Sequence, residues 1–423
     1  MRSVTVTLNG RSVGTLFALG RDRHGFEYDD EYREDPDATP LSVSMPLSAR
    51  VHSDSHITPF LWNLLPDNPA VLTRWAQQAQ VSPRDAFALL SNTDDLPGGV
   101  RFIRDEDQRG ESGHVEWIDE EDVAHRLAIV REDNAAWRGR PETGRWSVPG
   151  TQAKIALLCD DGAWGVPHGI TPTNRILKPA IPGLVDHDLN EHLCLRTMAG
   201  LGLRVAATSV KTFGEERAIV VERYDRRRGA DGVWRRVHQE DMCQALSIRP
   251  EFKYESDGGP GIAAIVDLLA NSVTATESGR TVAEFITAVA FNWVVAGTDA
   301  HAKNYSLLHS GREVSLAPFY DVASALPYDA YLPKERLAMR VDTEYRLTRV
   351  RREHWERLAA KCKLDRDDVV DLVRIVAEQT PSEMAAAAAD PQVVALDSTI
   401  PERLVSLVED RATECARRMR LAS

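Results

Sequence analysis

The N-terminal part of the chain alternates between apolar and polar side chains. In SVTVTLNGRSVGTLFAL, residues 3–19, this two-residue period continues on both sides of Asn9 and Gly10. An Asn-Gly pair between two alternating runs is typical of a β-hairpin. Shorter apolar runs predict one further strand and two helices, at 40–47, 59–80 and 82–91 respectively. Residues 1–105 are therefore predicted to form a small α+β module.

An acidic, polar stretch separates this module from a strand-rich region. The stretch at 104–125 predicts a surface linker that runs into a short helix, and we assign residues 106–144 to it. From 145 to 237, β-branched and apolar runs predict strands around one helix at 190–203. From 238 to 423, apolar residues recur with the helical period. The pattern thus predicts a β-rich part followed by an all-helical C-terminal part.

Composition and charge narrow the class of protein. Of the 423 residues, 43% are hydrophobic and 27% are charged, as is typical of a globular protein with more than one domain. The net charge of 51 − 64 = −13 argues against broad binding of nucleic acid or membrane surfaces by the whole chain. Two basic segments, 223–228 and 346–361, are either solvated faces or local contacts to DNA.

Cysteine usage and the apolar runs indicate a compartment. The five cysteines are scattered and form no CxxC pair, which is typical of reduced thiols and offers neither a zinc site nor a disulfide framework. The N-terminus lacks the apolar segment of a signal peptide. No run approaches the roughly 20 apolar residues of a membrane span. We expect a soluble cytoplasmic protein with no membrane partner.

Candidate chemistry concentrates in GTDAHAKN, residues 297–304. Asp299 and Asn304 follow an apolar helix that is predicted to end near Gly297. On a helix, side chains five residues apart point roughly 140° away from each other, so these two can converge only in a loop. Asp-x4-Asn is the spacing of a protein-kinase catalytic loop, in which Asp orients the attacking hydroxyl and Asn holds Mg²⁺. A loop that merely caps the helix fits the same spacing.

Three further features follow the order of functional parts in a kinase. Lys178 ends the apolar run NRILKPA, as a phosphate-pairing lysine does, and Glu191 at a helix start could pair with it. Asp321 lies about where a kinase places a metal-binding Asp, within Tyr-Asp-Val rather than Asp-Phe-Gly. The small-residue turn from Ser147 to Gln152 could bring backbone N–H groups to phosphates. Each feature alone also fits a solvated side chain or a plain turn, but their order favours a kinase.

Over nearly its whole length the sequence resembles the HipA family, the kinase toxins of bacterial type II toxin–antitoxin modules. The resemblance rests on SVPGTQAK, NRILKP, VVERYDR, HQEDMCQAL, KYESDGGPGI, GTDAHAKNYS and PFYDVASA, in the family's order. PLSVSMPL and FLWNLLPD resemble its N-terminal module. The resemblance implies an α+β, two-lobed protein-kinase-like fold, with 145–237 as the small-lobe region and 238–423 as the helical catalytic lobe. It also implies phosphorylation of a protein serine or threonine that depends on ATP and Mg²⁺.

The resemblance implies roles for residues by their position in these motifs. Asp299 is implied to be the catalytic residue, and Asn304 and Asp321 the metal ligands. Lys178 is implied to contact the α- and β-phosphates, with His301 near the phosphates. The loop implied to cover the nucleotide consists of Pro149, Gly150, Thr151, Gln152, Ala153 and Lys154. The adenine and ribose contacts are implied to come from Glu222, Tyr224 and Asp225.

Two other expectations concern the loop and a polar segment. Ser147 matches the serine whose autophosphorylation inactivates family members. Pro149 and Thr151 stand where small alanines are common in the family: Pro149 lacks a backbone N–H, and Thr151 is a second candidate phosphate acceptor. The glycine-rich segment KYESDGGPGI, residues 253–262, is either a substrate-facing loop or a connecting turn.

The resemblance also implies partners. The family's partner is a small helix-turn-helix antitoxin, HipB-like, that binds operator DNA, so we expect DNA contact only through that complex. The family's best-known protein substrate is an aminoacyl-tRNA synthetase, whose modification would inhibit translation. Two alternatives stay open. One is a catalytically weak pseudokinase-like module that represses transcription with an antitoxin. The other is a metal-dependent hydrolase using Asp299 and His301, which needs more converging ligands than the sequence offers.

Overall fold

The computed structural model of the protein describes residues 2–20, 22–104, 112–137, 145–328 and 336–420. Within these ranges the chain forms two compact units, each assembled from three segments. The first unit consists of Met1–Ile181, Lys211–Glu251 and Leu307–Ser315. The second unit consists of Pro182–Val210, Phe252–Ser306 and Leu316–Ser423. As domains, the four consecutive blocks 1–105, 106–144, 145–237 and 238–423 stay a prediction.

An antiparallel sheet of five strands opens the first unit. Its strands are β1 Arg2–Leu8, β2 Arg11–Gly20, β3 Arg23–Tyr28, β4 Val51–His52 and β5 Val100–Ile103, in the spatial order β4-β3-β2-β1-β5. Asn9 and Gly10 join β1 to β2 with φ angles of 52° and 83°. Positive φ at both positions is what the two-residue turn of a right-twisted hairpin requires. The predicted hairpin is confirmed.

Four helices accompany this sheet: α1 Asp30–Glu34, α2 Asp54–Asn63, α3 Pro69–Gln78 and α4 Ala86–Leu90. The apolar period at 59–80 is therefore divided between two helices, and the prediction of one continuous helix there is wrong. Asn68 caps α3 by accepting a hydrogen bond at 3.0 Å from a backbone N–H in its first turn. The strand predicted at 40–47 is also wrong, since only an isolated bridge joins Ser42 to Met45.

The second large sheet has six strands, and the predicted phosphate loop at 149–154 leads into one of them. Its strands are β6 His114–Ile118, β7 Ile155–Asp160, β8 Ala163–His168, β9 Arg175–Pro179, β10 Thr208–Phe213 and β11 Glu216–Glu222, in the order β10-β11-β9-β7-β8-β6. Among the strands predicted for 145–237, β7 and β8 form an antiparallel hairpin with Leu158 opposite Gly165. The predicted linker is wrong at β6, which is followed directly by α5 Glu120–Glu132. Residues 106–111 and 138–144 of that linker lie outside the described residues.

One hydrophobic core joins both sheets of the first unit. Phe26 of β3, Phe60 of α2 and Leu177 of β9 are buried in it, together with Trp137. Two smaller sheets follow in the chain: β12 Arg226–Arg228 with β13 Trp234–Arg236, and β14 Gln239–Asp241 with β15 Ser306–Ser310 and β16 Glu313–Leu316. The short helix α7 Met242–Ala245 follows β14.

Helices dominate the second unit. They are α6 His187–Gly200, α8 Ile262–Ser272, α9 Ala275–Val295, α10 Arg352–Lys361, α11 Arg366–Ala388, α12 Pro391–Val394 and α13 Ile400–Arg420. Helix α9 packs against α11 and α13 and buries Phe285, Phe291 and Trp293 completely. The prediction of an all-helical part over 238–423 is wrong, because β14, β15 and β16 lie there, as does the hairpin of β17 Arg336–Val341 and β18 Glu344–Arg346.

The longest helices in the described ranges are α11, with 23 residues, and α9 and α13, with 21 residues each. Neither these nor the other described helices combine the length and the apolar character that crossing a membrane requires.

Candidate active site

The segment GTDAHAKN begins where α9 ends abruptly. Ala296, directly after α9, adopts a left-handed conformation with φ 55°, which ends the helix. A Cβ on Gly297 would lie 2.1 Å from the side-chain oxygen of Asn292, so this turn admits only glycine. The hydroxyl of Ser324 donates to the last carbonyl of α9 at 2.6 Å and satisfies an acceptor that the helix leaves over. Asp299 therefore lies in a turn after the helix, as its spacing to the asparagine predicts.

Asn304 joins this loop to the second predicted metal-binding residue. Its Nδ2 donates to the carbonyl oxygen of Asp299 at 3.2 Å and to that of Asp321 at 3.3 Å. A side-chain amide has two N–H donors and one carbonyl acceptor, so both donors are in use. Within the described ranges no residue donates to its Oδ1. The structure thus brings the three residues together and leaves the amide oxygen available as a ligand.

A second hydrogen bond links the same two loops. The hydroxyl of Tyr320 donates to the carbonyl oxygen of Lys303 at 2.7 Å. Asp321 follows with φ 57°, a left-handed conformation that aspartate tolerates better than most residues. Asp321 and Asp299 are both exposed, whereas Asn304 is buried. Two exposed acidic residues thus lie beside a buried, oriented amide.

Asp299 is restrained by a residue to which the sequence analysis assigned no role of its own. The hydroxyl of Tyr254 donates a hydrogen bond to Oδ1 of Asp299 at 2.5 Å. The backbone N–H of His301 donates to the Asp299 carbonyl at 2.7 Å, and the buried His301 ring packs edge-on against the Tyr254 ring, with centroids 4.9 Å apart. The sequence signal was the polar, glycine-rich segment 253–262, which the structure brings to the catalytic loop.

The predicted phosphate loop lies in the first unit and is closed on itself. Ser147 is fully buried, and its hydroxyl donates to the carbonyl of Leu64 at 2.6 Å. The Nζ of Lys154 donates to the carbonyl of Pro149 at 2.6 Å and lies 4.6 Å from the centre of the Trp137 ring. Both side chains are therefore engaged by backbone carbonyls. The carbonyl that binds Ser147 lies outside the loop, and the one that binds Lys154 lies within it.

The remaining loop residues differ in exposure. Gly150 has φ 110°, in the region that favours glycine. Thr151 is exposed and Ala153 is buried. The side-chain amide of Gln152 donates to the carbonyl of Pro179 at 3.2 Å and ties the loop to β9. Of the two hydroxyl residues considered as phosphate acceptors, Thr151 is at the surface and Ser147 is not.

Lys178 lies near the end of β9 and is buried. It stands opposite Ile219 of β11, while its neighbour Leu177 stands opposite Ile155, the first residue of β7. Because the phosphate loop leads directly into β7, the loop and Lys178 lie at the same end of the sheet. The pairing of Lys178 with Glu191 stays a prediction.

The segment predicted to receive adenine follows β11. Glu222, the last residue of β11, is exposed and pairs with Arg175 at 3.1 Å. The hydroxyl of Tyr224 is hydrogen-bonded to the side-chain oxygen of Gln239. These contacts orient the side chains, and the adenine contacts expected from the backbone stay a prediction.

Asp225 lies in a buried ionic cluster rather than at a surface. Its Oδ2 accepts hydrogen bonds from the N–H of Gly98, from Arg223 and from Arg226 at 2.7, 2.8 and 2.8 Å. Burial alone would raise the pKa of Asp225, but the guanidinium groups of Arg223 and Arg226 hold that pKa below its usual value. Asp95 pairs with the same two arginines. This geometry gives Asp225 a structural role and does not favour the ribose contact that the resemblance implies.

The basic segment 223–228 is consequently not a uniform surface patch. The side chains of Arg223 and Arg226 are 3% and 0% exposed and are neutralised inside the cluster. Arg227 and Arg228 are exposed, and Arg228 pairs with Asp161 at 2.9 Å. Two of the four arginines in this segment are therefore buried and cannot contact DNA at the surface. This weakens the interpretation of the segment as a local DNA-binding surface.

Comparisons with known proteins identify the family. Residues 4–103 match the family model described as the HipA N-terminal domain, and residues 146–384 match the one described as the HipA-like C-terminal domain. The second match alone covers more than half of the chain. The chain belongs to the HipA family. The resemblance recognised from the sequence motifs is confirmed.

Two relatives and one solved structure agree with this assignment. The HipA-family chain is 32% identical over 421 residues to "Putative kinase Y4mE" of Sinorhizobium fredii, which covers 97% of this chain and 98% of the relative. It is 30% identical over 329 residues to "Serine/threonine-protein kinase toxin HipA" of Shewanella oneidensis, which covers 72% of this chain and 71% of the relative. The solved complex of Shewanella oneidensis HipA, HipB and operator DNA contains a chain that matches with a TM-score of 0.81 at 23% identity, over 98% of this chain and 99% of that one. The predicted two-lobed α+β fold is confirmed by this match.

Proposed function

We propose that this HipA-family protein is a serine/threonine kinase that uses ATP and Mg²⁺ and acts as the toxin of a toxin–antitoxin module. One observation carries the proposal. The side-chain amide of Asn304 is hydrogen-bonded to the carbonyls of both Asp299 and Asp321, at 3.2 and 3.3 Å. A candidate base and two candidate oxygen ligands are therefore linked through one side chain, which supports their assignment to phosphoryl transfer.

The residues of this site fit a magnesium ion. The amide oxygen of Asn304 and the carboxylate of Asp321 are hard oxygen donors, and Mg²⁺ is usually bound by one or two carboxylates together with substrate phosphates. The described ranges contain no group of three or more His, Cys, Asp or Glu side chains that could hold a metal alone. A metal-dependent hydrolase would need such a group. When bound, the ion would offset negative charge on the β- and γ-phosphates.

Asp299 is the proposed base. It is exposed, and its backbone carbonyl is held by Asn304 and by the N–H of His301. The hydroxyl of a substrate serine or threonine would give its proton to the carboxylate. The hydroxyl oxygen would bond to the γ-phosphorus as the bond from that phosphorus to ADP breaks. Such a positioned base contributes roughly 10²–10⁴ to the rate.

The proposed nucleotide contacts come from the loop at 149–154 and from Lys178 for the phosphates, and from the backbone of Glu222 and Tyr224 for adenine. His301 is assigned to the catalytic loop beside the phosphates. Lys154 is engaged by the carbonyl of Pro149 in this structure. Lys154 is also buried. A phosphate can reach its remaining N–H donors only if the loop exposes the side chain, so we infer that nucleotide binding rearranges the loop.

Ser147 is the proposed autophosphorylation site. Its hydroxyl is buried and donates to the carbonyl of Leu64, so no phosphoryl group can reach it until the loop leaves this position. A phosphoserine adds roughly −1.5 to −2 charges, which a fully buried site cannot readmit. We infer that modification holds the loop away from the nucleotide and inactivates the kinase.

The proposed partner is a helix-turn-helix antitoxin. The fold match is to a HipA chain whose solved complex contains HipB and operator DNA. With a net charge of −13, this chain is expected to reach DNA through such a complex and not alone. The proposed target is a cytoplasmic protein required for translation, such as an aminoacyl-tRNA synthetase, and this assignment rests on the family resemblance.

Incubation of the purified protein with labelled ATP, with and without Mg²⁺, tests the kinase assignment. We expect metal-dependent phosphate on serine or threonine that disappears in Asp299→Asn. Asp410→Asn, at an exposed position on α13, is the matched control and should transfer normally. Binding of ATP and Mg²⁺ in calorimetry without any transfer would instead support the pseudokinase-like module.

A further inference from the structure

Tyr254 makes a contact that the proposed roles leave unexplained. Its hydroxyl donates a hydrogen bond to Oδ1 of Asp299 at 2.5 Å. A phenol next to an ionised carboxylate can only donate, and hydrogen bonds of this charge-assisted kind are short and strong. Asp299 is exposed, and this hydrogen bond restrains the orientation of its carboxylate.

Tyr254 is itself held in place by the loop it touches. Its ring packs edge-on against the ring of His301 at 4.9 Å between centroids. The preceding carbonyl, that of Lys253, accepts the N–H of Ala302 at 3.3 Å. The segment therefore contacts the loop of Asp299 through the side chain of Tyr254 and through the backbone carbonyl of Lys253.

The far side of the segment is anchored as well. The carboxylate of Glu255 accepts from the backbone N–H of Arg340 at 2.7 Å and from its guanidinium at 2.9 Å. A Cβ on Gly259 would lie 1.9 Å from the carbonyl oxygen of Phe252, and one on Gly261 would lie 2.3 Å from the Glu255 carboxylate. A side chain at position 259 would collide with the backbone, and one at position 261 would displace the Glu255 carboxylate that binds Arg340. The glycine-rich segment 253–262 is a rigid support.

We infer that Tyr254 is a positioning residue for phosphoryl transfer: it fixes the plane of the Asp299 carboxylate so that a substrate hydroxyl meets a base that is already oriented. The inference rests on the proposed kinase function. Transfer rates depend steeply on the alignment of the base with the attacking hydroxyl. A hydroxyl on Asp299 is also what a bound substrate would provide, so Tyr254 could instead act as a plug. The rigid anchoring through Arg340 favours a support over a group that must move away.

The test compares Tyr254→Phe with the wild-type protein. Phenylalanine keeps the ring contact with His301 and removes only the hydroxyl. Losing one hydrogen bond to a charged group should lower kcat by about tenfold or more, while KM for ATP at saturating Mg²⁺ stays the same. Tyr32→Phe is the matched control, since it removes a hydroxyl that donates to the carbonyl of Thr39 at 2.9 Å within the first unit, and it should leave both constants unchanged.

Each outcome bears on the inference. A wild-type kcat in Tyr254→Phe overturns it, and a raised kcat overturns it in favour of the plug. A parallel loss of kcat, ATP binding and thermal stability would show a merely structural role. If Tyr254→Phe does not fold, Glu255→Gln, which weakens the anchor to Arg340, must lower kcat in the same direction, and an unchanged kcat there overturns the inference too. Absence of any Asp299-dependent transfer in the wild-type protein would overturn the proposed function itself, and with it the role of Tyr254.

Discussion

The two groups of candidate site residues are held in opposite ways. In the second unit, Asn304 ties the backbone of Asp299 to that of Asp321, so the residues of the site hold one another. In the first unit, Ser147 and Lys154 are engaged by backbone carbonyls of their own surroundings. The candidate catalytic residues are therefore already held together. The loop residues make contacts that their proposed roles require them to give up.

The candidate residues of the second unit are preorganised, whereas the loop residues of the first unit must change their partners to act. Catalytic groups act best when they are oriented before the substrate arrives, because reorganising them during the reaction raises the barrier. A loop that opens and closes needs contacts that are individually weak. A buried hydrogen bond contributes on the order of 1 kcal/mol to stability, and micromolar binding of a nucleotide provides about 8 kcal/mol. The proposed nucleotide, if bound with such an affinity, would therefore be sufficient to open the loop.

The largest effect is expected from a change in the preorganised residues of the second unit. Asp299→Asn should reduce phosphoryl transfer by roughly 10²–10⁴, the contribution of a positioned base, while binding of ATP and Mg²⁺ is largely kept. Transfer is measured with labelled ATP, and binding by calorimetry. A variant that retains more than about a tenth of the wild-type rate would show that Asp299 is not the base.

The next effect separates metal binding from the hydrogen bonds of Asn304. Asn304→Ala and Asp321→Ala should each remove Mg²⁺-dependent ATP binding or turnover, since each loses an oxygen ligand. Asn304→Asp keeps an oxygen but loses both N–H donors to the two carbonyls. It should therefore bind metal better than Asn304→Ala while unfolding at a lower temperature than the wild-type protein. Unchanged ATP–Mg²⁺ affinity and turnover in both alanine variants would remove these residues from the metal site.

A smaller effect is expected from changes in the loop of the first unit. Ser147→Ala should abolish the proposed autophosphorylation and leave the Leu64 carbonyl without its donor, at a cost of about 1–2 kcal/mol in the free energy of unfolding. Transfer to other substrates should persist. Thr151→Ala, at the exposed position of the same loop, should change neither. Mass spectrometry that finds phosphate on Thr151 and none on Ser147 would reverse this assignment.

The smallest effect concerns the proline of the loop. Pro149→Ala adds one N–H donor and keeps the carbonyl that Lys154 binds, so ATP should bind up to a few-fold more tightly. The gain is limited because alanine also gives the open loop more conformational freedom. Calorimetry measures it, with Pro391→Ala at the start of α12 as the control. Markedly weaker binding would mean that the rigidity of Pro149 matters more than the missing donor.

Local signals in the sequence were sufficient for much of the fold and for the centre of the site. The Asn9-Gly10 hairpin follows from backbone preferences within a few residues. The convergence of Asp299 and Asn304 follows from the end of α9 at Val295, close to the predicted end near Gly297. Strand β6 was missed because most of its side chains are exposed, so its sequence lacks the apolar alternation of a half-buried strand. Its pairing with β8 lies about 50 residues away in the chain.

Long-range pairing explains the other differences. In the sequence alone, the arginines of 223–228 indicate a surface patch. In the structure Asp95 pairs with Arg223 and Arg226, and no local sequence pattern predicts these ion pairs. The contact of Tyr254 with Asp299 likewise joins residues 45 positions apart. Sequence motifs thus located the candidate base and ligands, and tertiary contacts were needed to find the residues that orient them.

The interleaving of the two units constrains how the gene can be divided and how the chain is made. The chain passes from one unit to the other after residues 181, 210, 251, 306 and 315. Hence no continuous reading frame encodes either unit alone, and recombination cannot exchange one without carrying pieces of the other. On the ribosome, the first unit is complete only after residue 315, when Asp299 and Asn304 have already been synthesised. The two units therefore cannot be completed one after the other from separate continuous stretches of the chain.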